Sequence, residues 1–408
     1  MRIGFLFNHD QIHQVAHSLP IALALAETDL DLEIVVATTN ERLSEEVQRI
    51  ARGLGASSVQ FVDLRPRSAF SRGVVKLLDR CLPAAKLTIY RDHLPFFSSL
   101  DALVVAEKTS AILKTRYGLS GLKLIHTRHG AGDRAIGFDR ASTRFDQVLV
   151  SGPKIRDRLI RDANVAPDRL WMVGYPKFDL LPAPAVRLPF QANGRPTILY
   201  NPHVSPHLSS WYRDGRAVLD FFVEHPEYNL IFAPHVMLFE RSLTLTIDKM
   251  RIDRPGKLDK KYWDAPNIHI DFGSHASTDM TYTLAADLYL GDVSSQVYEF
   301  LVKRRPCLFL NSHSVEFASD PNYAHWQAGQ VIDRPSELGL ALSEAWDRHA
   351  SFRPVQDRLF SDSFDLTETP SSLRAARAII AFLHQSSPDA AAASLSHLPL
   401  ELPLRGAA

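Results

Sequence analysis

The chain opens on an uninterrupted apolar run, Ile3 to Phe7, and continues through Gln11 to Glu27 with Leu23 and Ala26 spaced for one helical face. That is the pattern of a strand followed by a helix. Runs of the same kind recur at Leu32 to Ala37, Val59 to Val62, Ala102 to Ala106, Leu122 to His126, Val148 to Val150 and Leu170 to Val173. They do not alternate with polar residues, and helical stretches separate them. A strand buried on both faces has no solvent side to make polar, so the pattern predicts a parallel sheet covered by helices on both faces.

The rhythm breaks at residues 181–196, where Pro182, Pro184, Pro189 and Pro196 accompany Gly194 without a period. This stretch predicts an interdomain linker. The rhythm restarts at Thr197 to Tyr200 and recurs at Asn229 to Ala233, Asn267 to Ile270, Asp287 to Leu290 and Cys307 to Leu310. A first Rossmann-like domain over 1–180 and a second over 197–370 are therefore expected, both doubly wound α/β sheets, and the cleft between them is the natural ligand site. Leu373, Ala376, Ile380 and Leu383 predict a C-terminal helix over 371–385, and the biased, aperiodic residues 386–408 read as a disordered tail.

Composition narrows the function classes. Lys plus Arg and Asp plus Glu are 46 each, giving zero formal charge and a pI near 7.3. A dedicated nucleic-acid binder would carry a basic excess. With 45% apolar and 23% charged residues, a sizeable core can be buried. Cys81 and Cys307 are the only cysteines, which excludes a disulfide framework and a cysteine zinc site. The opening apolar run is too short for a signal-peptide core and no uncharged run reaches the ~18 residues of a spanning helix, so the expected location is the cytoplasm.

The phosphate-loop, dinucleotide-fingerprint, zincin and serine-hydrolase motifs are all missing. Four polar clusters remain, each at the end of a predicted strand. His126-Thr127-Arg128-His129-Gly130-Ala131-Gly132 follows Leu122 to Ile125. A histidine there suits proton removal from an alcohol, and the glycine permits close approach, although a turn histidine bonded to local backbone accounts for the pattern equally. Gly291-Asp292-Val293-Ser294-Ser295 precedes a helical pattern over Gln296 to Lys303. Free N–H groups and two hydroxyls at a helix start bind phosphate, while ordinary capping by Asp292 or Ser294 is the alternative. Ala233-Pro234-His235 and Tyr200-Asn201-Pro202-His203 end two further strands and could face the same cleft. His9, His13 and His17 recur every four residues; no acidic third ligand is evident, so a histidine-lined loop facing the cleft is expected there and no metal.

Taken in order, His129-Gly130, Gly174-Tyr175-Pro176-Lys177-Phe178-Asp179, Ile198 to Pro202, Pro234-His235 and Gly291 to Ser295 with Glu299-Phe300 resemble the CDP-glycerol glycerophosphotransferase family. The likeness covers roughly residues 100–310, and no single motif carries it. The resemblance implies a GT-B fold and synthesis of teichoic-acid-like polymers. It further implies His129 as catalytic base, with His235, Asp292, Ser294 and Ser295 on the donor pyrophosphate. Gly130, Asn201, His203 and Glu299 are the other cleft candidates. Departures are Arg128 where the family often has an aromatic residue, Asn201-Pro202-His203 in place of Ala-Pro-Thr-Trp, and His-Gly-Ala-Gly in place of His-Gly-Thr-Pro. Kdo transferases and UDP-sugar 2-epimerases share the layout.

The expected activity is thus transfer of glycerol phosphate or a related polyol phosphate from a CDP-linked donor to a lipid-linked or saccharide hydroxyl, without cofactor or metal. A nucleotide-sugar glycosyltransferase and a non-catalytic binding module are the alternatives. Residues 65–91 carry seven cations against the single acid Asp79, with Phe70, Val74, Leu77, Leu78 and Cys81 on one helical face. This predicts either peripheral contact with an anionic membrane on its inner face or a helix packed on the sheet.

Overall fold

The computed structural model describes residues 1–8, 11–55, 59–65, 84–128, 130–182, 187–240, 244–246 and 251–385. His9, Asp10, His129, most of the basic stretch (66–83) and the tail 386–408 lie outside the described residues.

Seven strands form the first sheet: β1 (Arg2–Phe7), β2 (Glu33–Thr38), β3 (Gln60–Asp63), β4 (Ala102–Val105), β5 (Lys123–Thr127), β6 (Gln147–Val150) and β7 (Leu170–Met172). All pair in parallel in the order β3-β2-β1-β4-β5-β6-β7. The second sheet is built from β8 (Thr197–Asn201), β9 (Asn229–Phe232), β12 (Ile268–Ile270), β13 (Leu288–Gly291), β14 (Cys307–Leu310) and β15 (Gln330–Ile332). It is also parallel, in the order β12-β9-β8-β13-β14-β15, and β10 (Thr244–Thr246) and β11 (Arg251–Asp253) form a separate antiparallel pair. The twelve apolar runs read from the sequence fall on β1 to β9 and β12 to β14, whereas β15 and the antiparallel pair are not among them, and β4, β6, β8, β9, β13 and β14 are buried along their whole length. Strand order reverses between β1 and β4 and again between β8 and β13, which opens a crevice at the carboxyl edge of each sheet.

The principal helices are α1 (Val15–Thr28), α2 (Glu41–Gly53), α3 (Pro153–Ala163), α4 (Trp211–Glu224), α5 (Gln296–Phe300), α6 (Leu338–Ser363) and α7 (Ser371–Gln385). Helix α1 is apolar almost all round because it is covered on several sides. Val15, Leu19, Ala22 and Leu25 share one core with β1, β2 and, from the far end of the chain, Ala375, Ala376 and Ile379 of α7. The C-terminal helix therefore returns to the first domain. Gly174 at φ +84° makes the return possible: a Cβ there would collide with Ser371, whose Oγ accepts the Tyr175 N–H at 2.9 Å.

One predicted element is shorter than expected. The helical spacing over Gln296 to Lys303 supports a helix only as far as Phe300. The Arg305 guanidinium takes the Phe300 carbonyl at 2.8 Å together with carbonyls of residues 283 and 286, and so ends the helix early.

Candidate functional site

The carboxyl ends of β8, β9 and β13 deliver Asn201, His235 and the turn from Asp292 to Ser295 to one place, beside the strand-order reversal of the second sheet. Helix α1 and the loops after β5 and β7 cover it from the first domain. The cavity left between them is about 110 Å³, lined by His13, His17, Gly130, Lys177, Asn201, Pro234, His235, Ser277, Thr278, Ser294, Ser295 and Glu299 among others. That volume is enough for several water molecules or a phosphate group. A larger cavity of about 580 Å³ sits at the opposite edge, against Met1, Asp101 and Leu122 just before β1, β4 and β5, and contains none of the candidate residues.

His235 is fixed through its backbone N–H, donated to Pro202 O at 3.0 Å. Its Nδ1 accepts the Met237 N–H at 3.3 Å, so the ring proton sits on Nε2. Burial pushes this histidine down to about 4, with Glu240 pulling the other way. The ring is neutral at physiological pH and keeps one N–H to offer.

His203 is held below the usual histidine range by burial and then by His235, Arg134 and His207. Its Nδ1 accepts the Ser205 N–H at 2.9 Å and its Nε2 lies 3.3 Å from Arg134 Nη1. The Asn201 amide donates to Ala233 O at 2.6 Å and ties β8 to β9.

Asp292 does not line the cavity. Its carboxylate accepts from His203 N, Ser210 N, Ser210 Oγ and Val293 N at 2.6–2.9 Å, and burial pushes it up to about 6. It fastens the loop after β8 to the turn that follows β13. Ser294 Oγ accepts the Gln296 N–H at 3.3 Å, while Ser295 is exposed and faces the first domain. There Gly130, at φ +75°, and Gly132 make room: a Cβ on them would stand 3.6 Å from Ser295 Oγ and 3.0 Å from Ser295 Cβ, respectively. Gly130 thus reaches the cavity wall, and His129 before it lies outside the described residues. His126, by contrast, is buried with its ring 4.6 Å from that of Phe145 and its Nε2 3.1 Å from Ala106 O.

Glu299 lines the cavity but is already engaged. Lys177 Nζ donates to both its oxygens at 2.8 Å and Tyr175 Oη to one at 2.8 Å, joining the two domains. His13 and His17 line the cavity, with the His13 and His235 rings 6.4 Å apart, but they do so from a short 3-10 helix (Ile12–Gln14) and from α1 and not from a loop, and His9 lies outside the described residues. Among the described residues no group of three His, Cys, Asp or Glu side chains could hold a metal ion.

Sequence reasoning missed a second interdomain cluster. Asp133, in the loop after β5, accepts from Lys154 Nζ of α3 at 2.9 Å, from Tyr298 Oη of α5 at 2.7 and 2.8 Å, and from His325 Nδ1 at 2.9 Å. Burial alone would raise the Asp133 carboxyl, but Lys154, His325 and Tyr298 outweigh it and hold it far below the carboxylate range. The only local signal was Asp133 itself, four residues past His129.

No protein-family model matches the chain, and no curated protein matches its sequence. Solved structures do match. The wall teichoic acid polymerase TagF, in a crystal soaked with CDPG, aligns over 94% of this chain and 88% of its own at TM-score 0.60 and 13% identity. The UDP-GlcNAc 2-epimerase of Neisseria meningitidis bound to UDP-GlcNAc aligns over 95% and 100% at 0.56 and 10%. MnaA of S. aureus in complex with UDP aligns over 93% and 94% at 0.55 and 11%. Identities this low carry the fold, which is the GT-B arrangement of two Rossmann-like domains.

Proposed function

We propose that this chain is a transferase that moves glycerol phosphate, or a related polyol phosphate, from a CDP-linked donor to a hydroxyl acceptor in cell-surface polymer synthesis. The observation that carries the reading is the convergence at one strand-order reversal of the His235 Nε2–H, Ser294 and Ser295 with Gly130, the residue that follows His129. Neutral N–H and O–H donors facing a small cavity suit a diphosphate. In the proposed reaction His129 removes the acceptor proton, the alkoxide forms a bond to the glycerol-bearing phosphorus, and the bond from that phosphorus to the bridging oxygen breaks to release CMP. His235 and the serine turn bind the charge that develops on the leaving phosphate.

The one carboxylate among the described lining residues, Glu299, is held by Lys177 and Tyr175, which leaves acid–base chemistry at this site to its histidines, in keeping with a histidine base. The fold is shared with enzymes whose structures hold CDPG, UDP or UDP-GlcNAc, which supports a nucleotide-linked donor. Incubation with CDP-glycerol and a hydroxyl acceptor tests the reading: acceptor-dependent CMP release is expected. Turnover of UDP-sugars with CDP-glycerol inert would overturn it.

The reading includes peripheral contact of residues 65–91 with anionic lipid, which rests on the seven cations against one acid in that stretch. Salt-sensitive co-sedimentation with anionic vesicles, lost in Arg72→Glu/Lys76→Glu, is the expected result.

A further inference from the structure

We propose that His325 is a positioning residue of this site. It is held as a doubly protonated imidazole between Asp133 of the first domain and the Asp292 carbonyl of the second, and sets the donor turn in register with the loop that carries His129 and Gly130. The inference rests on the location of the site proposed above and not on the identity of its donor.

Both ring nitrogens face groups that can only accept. Nδ1 lies 2.9 Å from Asp133 Oδ2 and Nε2 lies 3.0 Å from the Asp292 carbonyl oxygen. A neutral imidazole owns a single N–H and would press a lone pair against one of these oxygens; an imidazolium donates to both. Water cannot take over the role, because the side chains of His325 and Asp133 are only 3% and 1% exposed. The low-lying Asp133 carboxylate keeps a full negative charge opposite Nδ1.

Facing the pair are Lys154 Nζ on Asp133, Arg158, which donates to the Asp133 carbonyl, and Tyr298 Oη on the same carboxylate. Asp362 lies behind Lys154 and Tyr298, and His203 and Arg134 stand toward the cleft. The Asp292 carboxylate points away, into the N–H groups of residues 203, 210 and 293. Asp133 keeps Lys154 and Tyr298 without His325, so its own needs are met. The second proton on His325 is required only by the Asp292 carbonyl, which also receives the Trp326 indole N–H at 2.7 Å. That carbonyl begins the turn to Ser294 and Ser295.

Nitrogen-edited histidine NMR on the full chain, with His325 assigned by the signal missing in His325→Gln, counts the ring protons directly. Two are expected at neutral pH. His325→Gln, which removes the second ring N–H, should accelerate amide exchange of residues 291–296 and 130–134 together by about tenfold at one fixed neutral pH, the worth of one charge-assisted hydrogen bond, with exchange elsewhere unchanged. A neutral ring at neutral pH, or exchange in the two segments indifferent to His325, overturns the inference. Calorimetry with CDP-glycerol separates the two proposals: if exchange responds as expected while neither protein binds this nucleotide, the donor assignment fails and the role of His325 stands.

Discussion

His235 carries its proton on the cleft side because its other nitrogen is taken by the Met237 N–H. The same burial that keeps it neutral couples it to stability. An unfolded histidine titrates near ~6.5, whereas His235 is pushed down to about 4. A depressed value means that the folded state resists protonation, so the stability that depends on a neutral ring is intact above the unfolded value and is lost as pH falls toward the folded one. Urea midpoints should accordingly drop between pH ~6.5 and ~4 by less in His235→Gln than in the parent chain. An equal drop would show that other groups carry the acid sensitivity. At His129 the expectation concerns chemistry: His129→Ala should lower CMP release by about 10²- to 10⁴-fold, the usual worth of a general base, with donor affinity in calorimetry unchanged. Unaltered turnover would remove the base from the reaction.

At the scale of elements, the Gly-Tyr-Pro-Lys-Phe-Asp stretch after β7 distributes its side chains between the site and the frame. Lys177 enters the cavity wall, and Asp179 turns back to accept the Ser371 and Ser372 N–H groups at 3.2 and 2.7 Å, capping α7. Asp179→Ala should cost about 1–2 kcal/mol and should raise amide exchange selectively over residues 371–385, because the cap holds a helix whose alanine face belongs to the core of the other domain's α1 side. Exchange spread evenly over the chain would mean that the cap is not what docks α7. The strands were legible because burial on both faces leaves no polar position in them, so runs such as Leu103 to Val105 and Leu288 to Leu290 stand out. The end of α5 was not, because its stop signal is a side chain five residues beyond the last helical residue. The pairs that assemble the site were out of reach for a related reason. Lys177 and Glu299 are 122 residues apart and Asp133 and His325 are 192 apart, and local spacing holds no record of such contacts.

Over the whole molecule, two kinds of charge pairing hold the domains together. At the rim Arg42 and Gln11 reach Glu240, and His275 reaches Glu46. The Arg42 and Glu240 side chains are each about half exposed, and a pair of that kind contributes about 0–1 kcal/mol and weakens with salt. In the interior Lys177 and Glu299 meet at 2.8 Å with side chains 6% and 9% exposed. Such a pair adds little net stability over an apolar substitute, yet breaking it leaves one charge buried without a partner. The two effects are separable. Lys177→Met alone should destabilise by about 3–5 kcal/mol, the cost of a stranded buried carboxylate, whereas Lys177→Met/Glu299→Gln should recover most of that loss because no charge remains to be desolvated. Denaturant unfolding of the parent chain, both single variants and the double variant measures the coupling. A double variant as unstable as the sum of the singles would mean that Lys177 and Glu299 act independently, and the register of the two domains would then have to be set elsewhere, at the Asp133 cluster.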